Sequence, residues 1–160
     1  MLRIGMVGMG GISGAHIGAW LQIPEAKIIC VCDIRPEKAN AAAEKSGGKA
    51  YLDFDEMLES EKIDVLDICL PTFLHADFAV EALGKGIHVL VEKPISLKKE
   101  DIERVYGAAQ SKNTNVMVAQ VLRFWREFQA LKEAYESGMY GKLLSGHMVR
   151  LGSKPKWSWD

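Results

Sequence analysis

Cysteine is scarce in this sequence, and its three residues form no recognisable pair. Cys30, Cys32 and Cys69 are odd in number, and each lies within an apolar, β-branched run. Cys30 and Cys32 lack the two-residue gap of zinc-binding and redox pairs, and no histidine cluster accompanies them. The sequence therefore excludes a disulfide framework, and we expect three buried, reduced thiols and no metal site.

Long apolar runs and a large excess of one charge are absent as well. No apolar stretch approaches the length that a membrane-spanning helix needs. The 20 lysines and arginines nearly balance the 21 aspartates and glutamates, which gives a formal net charge of −1. We therefore expect neither nucleic acid nor a membrane surface as a partner. No signal peptide is visible after Met1, so the expected location is the cytoplasm.

What the sequence does contain is the composition of a globular protein, with 48 % hydrophobic and 26 % charged residues. Its 160 residues are enough for one domain, or for one domain and a fragment of a second. A chain of this length buries a core without the help of disulfides or metals.

Short apolar runs alternate with helical segments along the first 122 residues. The predicted strands cover residues 2–7, 27–32, 50–52, 64–70, 88–92 and 115–121. The predicted helices cover residues 12–22, 35–48, 54–60 and 75–85, and one more follows the fifth strand. Continuous apolar strands are typical of a parallel sheet that helices cover on both faces. Residues 1–122 are therefore predicted to form an α/β fold, a doubly wound Rossmann sheet with strand order 3-2-1-4-5-6.

The helix after the fifth strand carries two further signals. Ser96 is its predicted N-cap, because a serine hydroxyl accepts a hydrogen bond from the first turn of a helix. Ile102, Val105, Tyr106 and Ala109 fall at positions i, i+3, i+4 and i+7. This spacing predicts that the four side chains share one buried face.

The pattern changes after residue 122. Residues 123–138 predict a helix, and residues 142–152 predict a strand. One helix and one strand cannot bury a core alone. We therefore expect residues 123–160 to be the truncated start of an α+β substrate and dimerisation domain. The apolar stripe of the helix contains Phe124, Phe128, Leu131 and Tyr135.

A homo-oligomer is expected from the same region. The strand over residues 142–152 would have no partner, and Trp157 and Trp159 follow it closely. An unpaired strand and large apolar side chains at a surface both favour association.

The glycine-rich loop after the first strand, GMVGMGGISGAH, is nearly a dinucleotide-binding motif. Gly8 allows a tight turn, and Gly10 lets the backbone approach a pyrophosphate. The helix that follows directs free N–H groups and the positive end of its dipole at that anion. Ser13 replaces the third glycine of the motif, where a small side chain is sufficient. A purely structural glycine turn is the alternative.

Asp33 ends the second strand, twenty residues after Ser13, where a carboxylate accepts hydrogen bonds from the adenosine ribose. Such a carboxylate repels the 2′-phosphate of NADP and so favours NAD. Arg35 leaves NADP open, because a guanidinium binds a phosphate well. The alternative role of Asp33 is to cap the next helix.

Two more segments follow strands at the same predicted edge. After the fourth strand, Pro71 and Thr72 form a turn beside the cofactor cleft, and His75 begins the next helix. Capping of that helix is an equal alternative for Thr72 and His75.

After the fifth strand, in VEKPIS, Lys93 brings a cation near the nicotinamide, and its bond to Pro94 is a candidate for the cis form. A lysine there donates to a substrate hydroxyl or carbonyl and takes part in proton transfer. The alternative is a plain surface turn.

Taken together, these segments resemble the Gfo/Idh/MocA oxidoreductases, the family of glucose–fructose oxidoreductase and inositol dehydrogenase. The matching segments are GMVGMGGISGAH, VCDIRPEKA, DICLPTFLHADFAVEALGKGIHVLVEKPIS and RFWREFQALKEAYESGMYGKL. The most specific part is Glu-Lys-Pro with the upstream Pro-Thr and His75. The resemblance implies NAD(P)-dependent hydride transfer at a hydroxyl-bearing carbon of a sugar, a polyol or a related small molecule.

The same resemblance implies roles for individual residues. Lys93 matches the catalytic lysine, which also binds substrate, and Arg123 matches a substrate-binding position where the chain enters the second domain. The implied cofactor contacts are Gly8, Gly10, Gly11, Ile12, Asp33, Ile34, Arg35, Leu70, Pro71, Thr72, His75, Glu92 and Lys93.

The sequence departs from the family in length, since family members are roughly twice as long. The Asp and His of their second domain, which complete the active site, have no counterpart in these 160 residues. We therefore expect the cofactor-binding half of an enzyme, which binds the dinucleotide but shows little turnover by itself. Two alternatives stay open: a dinucleotide sensor without catalysis, which has no need of Lys93, and an assembly module.

Overall fold

The computed structural model describes residues 1–152 and contains a six-stranded parallel sheet. The strands are β1 (Leu2–Val7), β2 (Ala26–Cys32), β3 (Lys49–Tyr51), β4 (Val65–Ile68), β5 (His88–Val91) and β6 (Val116–Val118). Their order is β3-β2-β1-β4-β5-β6, and every neighbouring pair is parallel. The predicted α/β class and strand order are confirmed. The order reverses between β1 and β4, which is where doubly wound sheets bind ligands.

Helices connect the strands. They are α1 (Ser13–Trp20), α2 (Pro36–Ser46), α3 (Phe54–Ser60), α4 (Thr72–Gly84) and α5 (Lys99–Lys112). In α2, Pro36 occupies the first turn, where no N–H donor is needed. Gly47 ends the same helix in the left-handed conformation, with a φ of 75°.

Apolar side chains cover both faces of the sheet. Ile4 and Met6 of β1 belong to one cluster, together with Ile17 of α1 and Ala42 of α2. Val7 of β1 belongs to a second cluster, which packs β4 and β5 against α3, α4 and α5. Successive residues of a strand point to opposite faces. The neighbours Met6 and Val7 therefore lie in separate cores on the two sides of the sheet.

The three cysteines lie in these cores. All are buried and free of disulfides, so the predicted buried thiols are confirmed. Burial raises the pKa of both Cys30 and Cys32 to about 12. Both side chains therefore stay protonated near neutral pH and act as small apolar groups.

The start of α5 differs from the prediction. The helix begins at Lys99 with Lys98 as its N-cap residue, so Ser96 lies two residues before the cap. The Ser96 hydroxyl donates to the Asp101 carboxylate at 2.8 Å and accepts the Lys98 N–H at 3.1 Å. Ser96 therefore ties the approaching chain to the first turn instead of capping the helix.

The buried face of α5 is narrower than predicted. Val105 and Ala109 are buried, whereas Ile102 and Tyr106 are exposed. Residues four apart lie one above the other on a helix. The inner contact of α5 therefore consists of Val105 and Ala109, with Ala108 partly buried beside them.

The chain divides into two compact units, Met1–Ala119 and Gln120–Asp160. The described part of the second unit contains a 3₁₀ helix (Val121–Phe124) and α6 (Arg126–Glu136). The apolar stripe of these helices is exposed, with values from 36 % to 67 %. Its members are Phe124, Phe128, Leu131 and Tyr135.

Two predictions for the second unit are corrected. The helix predicted over 123–138 is interrupted at Trp125, whose backbone is extended. The strand predicted over 142–152 is wrong, because these residues form no regular element. A strand needs a neighbour that pairs with its N–H and C=O groups, and the described residues of this unit offer none. Trp157 and Trp159 lie outside the described residues.

Among residues 1–152, no helix combines the length and the hydropathy of a bilayer span.

Candidate functional site

The loops that leave β1, β2, β4 and β5 meet at the carboxyl edge of the sheet. The Gly8 N–H donates to the Cys32 carbonyl at 2.9 Å, and the Glu92 N–H donates to the Ile68 carbonyl at 3.0 Å. Parallel pairing therefore continues past the strand ends and holds the loops side by side.

Gly8 is required by the fold of this edge. Its φ is 87°, and a Cβ would lie 2.8 Å from backbone atoms of Cys69 and Leu70. Any side chain would clash with the segment that follows β4, and a left-handed φ would add strain. The missing side chain lets the turn after β1 lie directly against that segment.

Gly10 differs from Gly8, because no atom of the described residues lies within 4 Å of the position that a Cβ would take. The following helix has Ile12 as its N-cap residue, with no side-chain cap and no acidic residue in the first turn. The buried Ser13 hydroxyl donates to the Gly10 carbonyl at 2.7 Å and holds the loop against the helix start. An open backbone before an uncapped helix fits the pyrophosphate of a dinucleotide.

Asp33 is buried at the end of β2, and protein donors surround its carboxylate. The Met9 N–H donates to Oδ2 at 2.8 Å, and the Arg35 N–H and Nε both donate to Oδ1 at 2.9 Å. Burial alone would raise the pKa of Asp33, but the hydrogen bonds from Arg35 and Met9 outweigh it and lower the pKa. Asp33 is therefore a charged acceptor. Arg35 is the N-cap residue of α2, so the alternative role of Asp33 as that cap is wrong.

The ion pair between Asp33 and Arg35 is open to solvent on one side. The Arg35 side chain is 51 % exposed, and its Nη2 donates to Asp33 Oδ2 at 3.0 Å. A ribose that approaches Asp33 competes with Arg35, since a carboxylate has about four lone-pair sites. Half-exposed ion pairs are weak, so the guanidinium can turn aside for a ligand.

His75 lies inside the protein, not on its edge. It is 1 % exposed, and its Nε2 and Nδ1 lie 2.7 Å and 2.8 Å from the carbonyl oxygens of Leu70 and Pro94. The ring thus joins the segment after β4 to the segment after β5. α4 has no side-chain cap, so capping by Thr72 or His75 is wrong. Cofactor contact by His75 stays a prediction, and both of its ring nitrogens are engaged here.

Lys93 lies in the exposed turn after β5, and its peptide bond to Pro94 is cis. The Lys93 N–H donates to Glu92 Oε2 at 3.0 Å. Glu92 itself is buried. The turn therefore exposes a lysine while a buried carboxylate holds its backbone.

A buried network that the sequence reasoning missed extends from Glu92 into the sheet. His16 of α1 lies between two carboxylates, with Nδ1 2.9 Å from Asp67 Oδ2 and Nε2 3.1 Å from Glu92 Oε1. The Trp20 indole N–H donates to the same Asp67 oxygen at 2.7 Å. We call His16, Asp67 and Glu92 the histidine–carboxylate network. Its one signal in the sequence is Asp67, an acidic residue inside an apolar strand.

The network is charged. Burial lowers the pKa of His16, but Asp67 and Glu92 outweigh burial and raise the pKa to about 8.

His16, Asp67 and Cys69 also bring their donor atoms close enough together to contact one metal ion. However, a metal binds the thiolate form of cysteine, and burial raises the pKa of the Cys69 thiol. With both nitrogens of His16 already paired, hydrogen bonding describes the cluster better than metal binding.

Most of the predicted site residues share the carboxyl edge. The loops there carry Gly8, Gly10, Gly11, Ile12, Asp33, Ile34, Arg35, Leu70, Pro71, Thr72, Glu92 and Lys93. Arg123 belongs to the second compact unit, where it is exposed in the 3₁₀ helix.

The strand order, the open glycine loop before an uncapped helix and the acidic residue after β2 define a dinucleotide-binding Rossmann domain. A family model described as "Oxidoreductase family, NAD-binding Rossmann fold" matches residues 2–120. The chain belongs to this family, the Gfo/Idh/MocA oxidoreductases, which confirms the resemblance seen in its sequence.

Curated relatives are similar over nearly all of the chain. It is 31 % identical over 154 residues to a myo-inositol 2-dehydrogenase of Thermotoga maritima, and the match covers 96 % of this chain and 45 % of the relative. It is 30 % identical over 150 residues to an inositol 2-dehydrogenase of Salmonella typhimurium, and this match covers 91 % of this chain and 45 % of the relative. The chain thus spans less than half the length of these relatives.

A solved structure shows the same fold. The WlbA dehydrogenase of Bordetella pertussis, in complex with NADH and UDP-GlcNAcA, is 33 % identical with a TM-score of 0.84. The match covers 88 % of this chain and 44 % of that one. The first unit of the present chain is therefore an NAD-binding Rossmann domain.

Alanine substitutions at the two loop glycines are predicted to change stability by very different amounts. Gly8→Ala is expected to lower the free energy of unfolding by about 2 kcal/mol or more, because its Cβ would meet backbone atoms and its φ is left-handed. Gly10→Ala is the matched control and should change it by less than about 0.5 kcal/mol, since open space surrounds the site. Urea unfolding followed by circular dichroism measures both. Equal losses would show that the contact with Cys69 does not constrain the turn.

The histidine–carboxylate network predicts a stability that falls as pH rises. His16 holds its proton to a higher pH in the folded chain than in the unfolded chain. Its contribution is therefore complete below pH 6.5 and is lost as pH rises through about 8. This shift corresponds to about 2 kcal/mol of unfolding free energy.

Urea unfolding of the wild type and of His16→Gln, measured over this pH interval, checks the prediction. Glutamine does not titrate, so the variant should lack the wild-type decline. Parallel curves for the two proteins would show that His16 carries no extra proton in the folded state.

Proposed function

We propose that the protein containing this chain is an NAD(P)-dependent dehydrogenase. It transfers a hydride between the nicotinamide and a hydroxyl-bearing carbon of a sugar, a polyol or a related small molecule. The observation that carries the proposal is one edge of the sheet that combines an open loop at Gly10, a charged acceptor at Asp33 and an exposed lysine at Lys93. The inositol 2-dehydrogenases among its relatives support the substrate class.

The residues of this edge divide the work of holding the cofactor. The loop at Gly10 and the start of α1 bind the pyrophosphate, and Asp33 accepts the ribose hydroxyls. We assign the remaining contacts to the edge residues Gly11, Ile12, Ile34, Leu70, Pro71, Thr72 and Glu92. The bound cofactor supplies the hydride chemistry, and the protein orients the nicotinamide toward the substrate.

Lys93 is our candidate for the catalytic residue. Its ammonium is a flexible donor that can hold a substrate hydroxyl or carbonyl oxygen and pass a proton. Glu92 holds the Lys93 N–H at 3.0 Å, so the lysine extends from an anchored backbone. A dinucleotide sensor has no use for such a cation, which is why we favour an enzyme over that alternative.

We propose NAD as the preferred cofactor. The Asp33 carboxylate is buried and charged, and it would repel the 2′-phosphate of NADP. Arg35 gives NADP a second route, because a guanidinium that leaves Asp33 can pair with that phosphate.

The second unit is proposed to begin the substrate domain, with residues 1–122 as the cofactor domain and residues 123–160 as the start of the next. Arg123 is assigned to substrate binding there. The exposed apolar stripe of the 3₁₀ helix and α6 supports a homo-oligomer, because exposed apolar patches mark interaction surfaces. We propose the cytoplasm as the compartment, in keeping with free buried thiols.

Cofactor binding by the 160-residue chain is the first test of this proposal. Asp33→Asn keeps an acceptor for the Met9 N–H but removes the charge. It should weaken NADH binding by about tenfold or more and NADPH binding much less. Arg35→Gln is the matched variant and should weaken NADPH while leaving NADH as tight or tighter.

Isothermal titration calorimetry with both cofactors measures these affinities. If the wild-type chain binds neither NADH nor NADPH, the cofactor proposal fails. If Asp33→Asn weakens both cofactors equally, Asp33 does not contact the ribose.

Lys93→Met tests the catalytic proposal in a form of the protein that carries a complete substrate domain. Turnover should fall by about a hundredfold or more, because general acid–base groups contribute at least that much. NADH affinity should stay within about threefold, since the side chain acts on the substrate. Lys98→Met, an exposed lysine five residues along the chain, is the control. Full turnover in Lys93→Met would leave Lys93 a surface turn residue.

A further inference from the structure

His16 and Asp67 of the histidine–carboxylate network have no assigned part in the proposed hydride transfer, yet the network ends at the lysine turn. His16 comes from α1, Asp67 from β4 and Glu92 from the end of β5. Glu92 Oε1 faces His16 Nε2 at 3.1 Å, and its other oxygen accepts the Lys93 N–H at 3.0 Å. A continuous line of hydrogen bonds therefore connects the helix after the glycine loop to the backbone of Lys93.

Hydrogen-bond chemistry determines the protonation state of His16. Both ring nitrogens face carboxylate oxygens, at 2.9 Å for Asp67 and 3.1 Å for Glu92. Ionised carboxylates only accept, and a neutral imidazole has one N–H to donate. A neutral ring would leave a lone pair against one carboxylate, whereas the imidazolium donates to both.

The two carboxylates depend on His16 to different degrees. Asp67 also accepts the Trp20 N–H at 2.7 Å and faces the Cys69 thiol at 3.7 Å. In the described part of the chain, His16 is the one side-chain donor to Glu92. Loss of one ring proton leaves a single N–H on the imidazole. Nδ1 faces both oxygens of the fully buried Asp67, at 2.9 and 3.0 Å, so we place the remaining proton there, and Glu92 Oε1 then loses its side-chain donor.

We propose that His16 is a positioning residue for the nicotinamide end of the cofactor site. As an imidazolium it holds Glu92 in the orientation that accepts the Lys93 N–H, and it thereby sets the turn beside the nicotinamide. This inference rests on the proposed function, because it needs a dinucleotide bound along this edge.

The surroundings of His16 make it the group that responds to pH. The titratable groups that face it are Asp67 of β4, Cys69 directly after β4 and Glu92 directly after β5. Two further elements pack against α1. The Lys45 ammonium of α2 lies near Gly14 of α1, 3.8 Å from the position that a Cβ would take there. β2 presents apolar side chains. Burial raises the pKa of Cys69, so the thiol stays neutral, whereas the pKa of His16 is raised only to about 8.

A comparison of two ligands isolates the nicotinamide end. NADH and ADP-ribose share the adenine, the riboses and the pyrophosphate, but ADP-ribose lacks the nicotinamide. For the wild-type chain, the ratio of NADH affinity to ADP-ribose affinity should fall by about tenfold as the pH passes through about 8. In His16→Gln the ratio should be low at every pH, with ADP-ribose affinity within about twofold of the wild type. His147→Gln, an exposed histidine of the second unit, should follow the wild type.

Nitrogen-15 spectra of the histidine rings provide a readout that needs no variant. In the wild type at pH 7, both ring nitrogens of His16 should be protonated. The amide of Lys93 should exchange faster above the midpoint near 8, while amides inside the sheet keep their protection.

The possible results are distinct. If neither ligand binds the wild-type chain, the proposed function is overturned and this inference with it. If both ligands bind but His16→Gln weakens them equally, or if the Nε2 of His16 is unprotonated at pH 7, the function survives and the positioning role is overturned. A pH-dependent affinity ratio that His16→Gln abolishes supports the role.

Discussion

The close approach at Gly8 is the contact on which the rest of the site depends. A Cβ there would lie 2.8 Å from the backbone of Cys69 and Leu70, so the turn after β1 touches the segment after β4 with no side chain between them. Because the turn is so tight, α1 starts close to the segment that follows β4. His16 of α1 can then reach Asp67 in the middle of that strand. The same glycine thus determines both the open loop and the buried network beneath it.

Two protein cations pair with carboxylates near this edge, and solvent access distinguishes the two arrangements. The Arg35 side chain beside Asp33 is 51 % exposed, whereas the His16 side chain between Asp67 and Glu92 is 12 % exposed. An exposed pair exchanges readily with a ligand, while a buried pair is costly to break. The outer pair therefore suits recognition of a ribose, and the inner pair suits a fixed scaffold.

Sequence periodicity was sufficient for the sheet, because buried parallel strands are continuous apolar runs and the glycine loop marks the first crossover. Periodicity was not sufficient to predict the histidine–carboxylate network. Which residue of α1 faces β4 depends on how the helix lies on the sheet, and a single Asp67 in an apolar run does not reveal its partners. The strand predicted over residues 142–152 failed for a related reason, since pairing with a neighbour makes a strand. Ser96 has the chemistry of a cap, but the helix begins after Lys98.

The contrast between Gly8 and Gly10 has an evolutionary consequence. Packing alone maintains the first glycine, since any replacement collides with backbone. Among residues 1–152, no packing contact maintains the second, because no atom lies within 4 Å of the position that a Cβ would take. Under the proposed contact between this loop and the pyrophosphate, selection on Gly10 comes from the ligand. On that proposal, a descendant that keeps Gly8 and carries a bulky residue at position 10 would be a folded protein that has given up its dinucleotide.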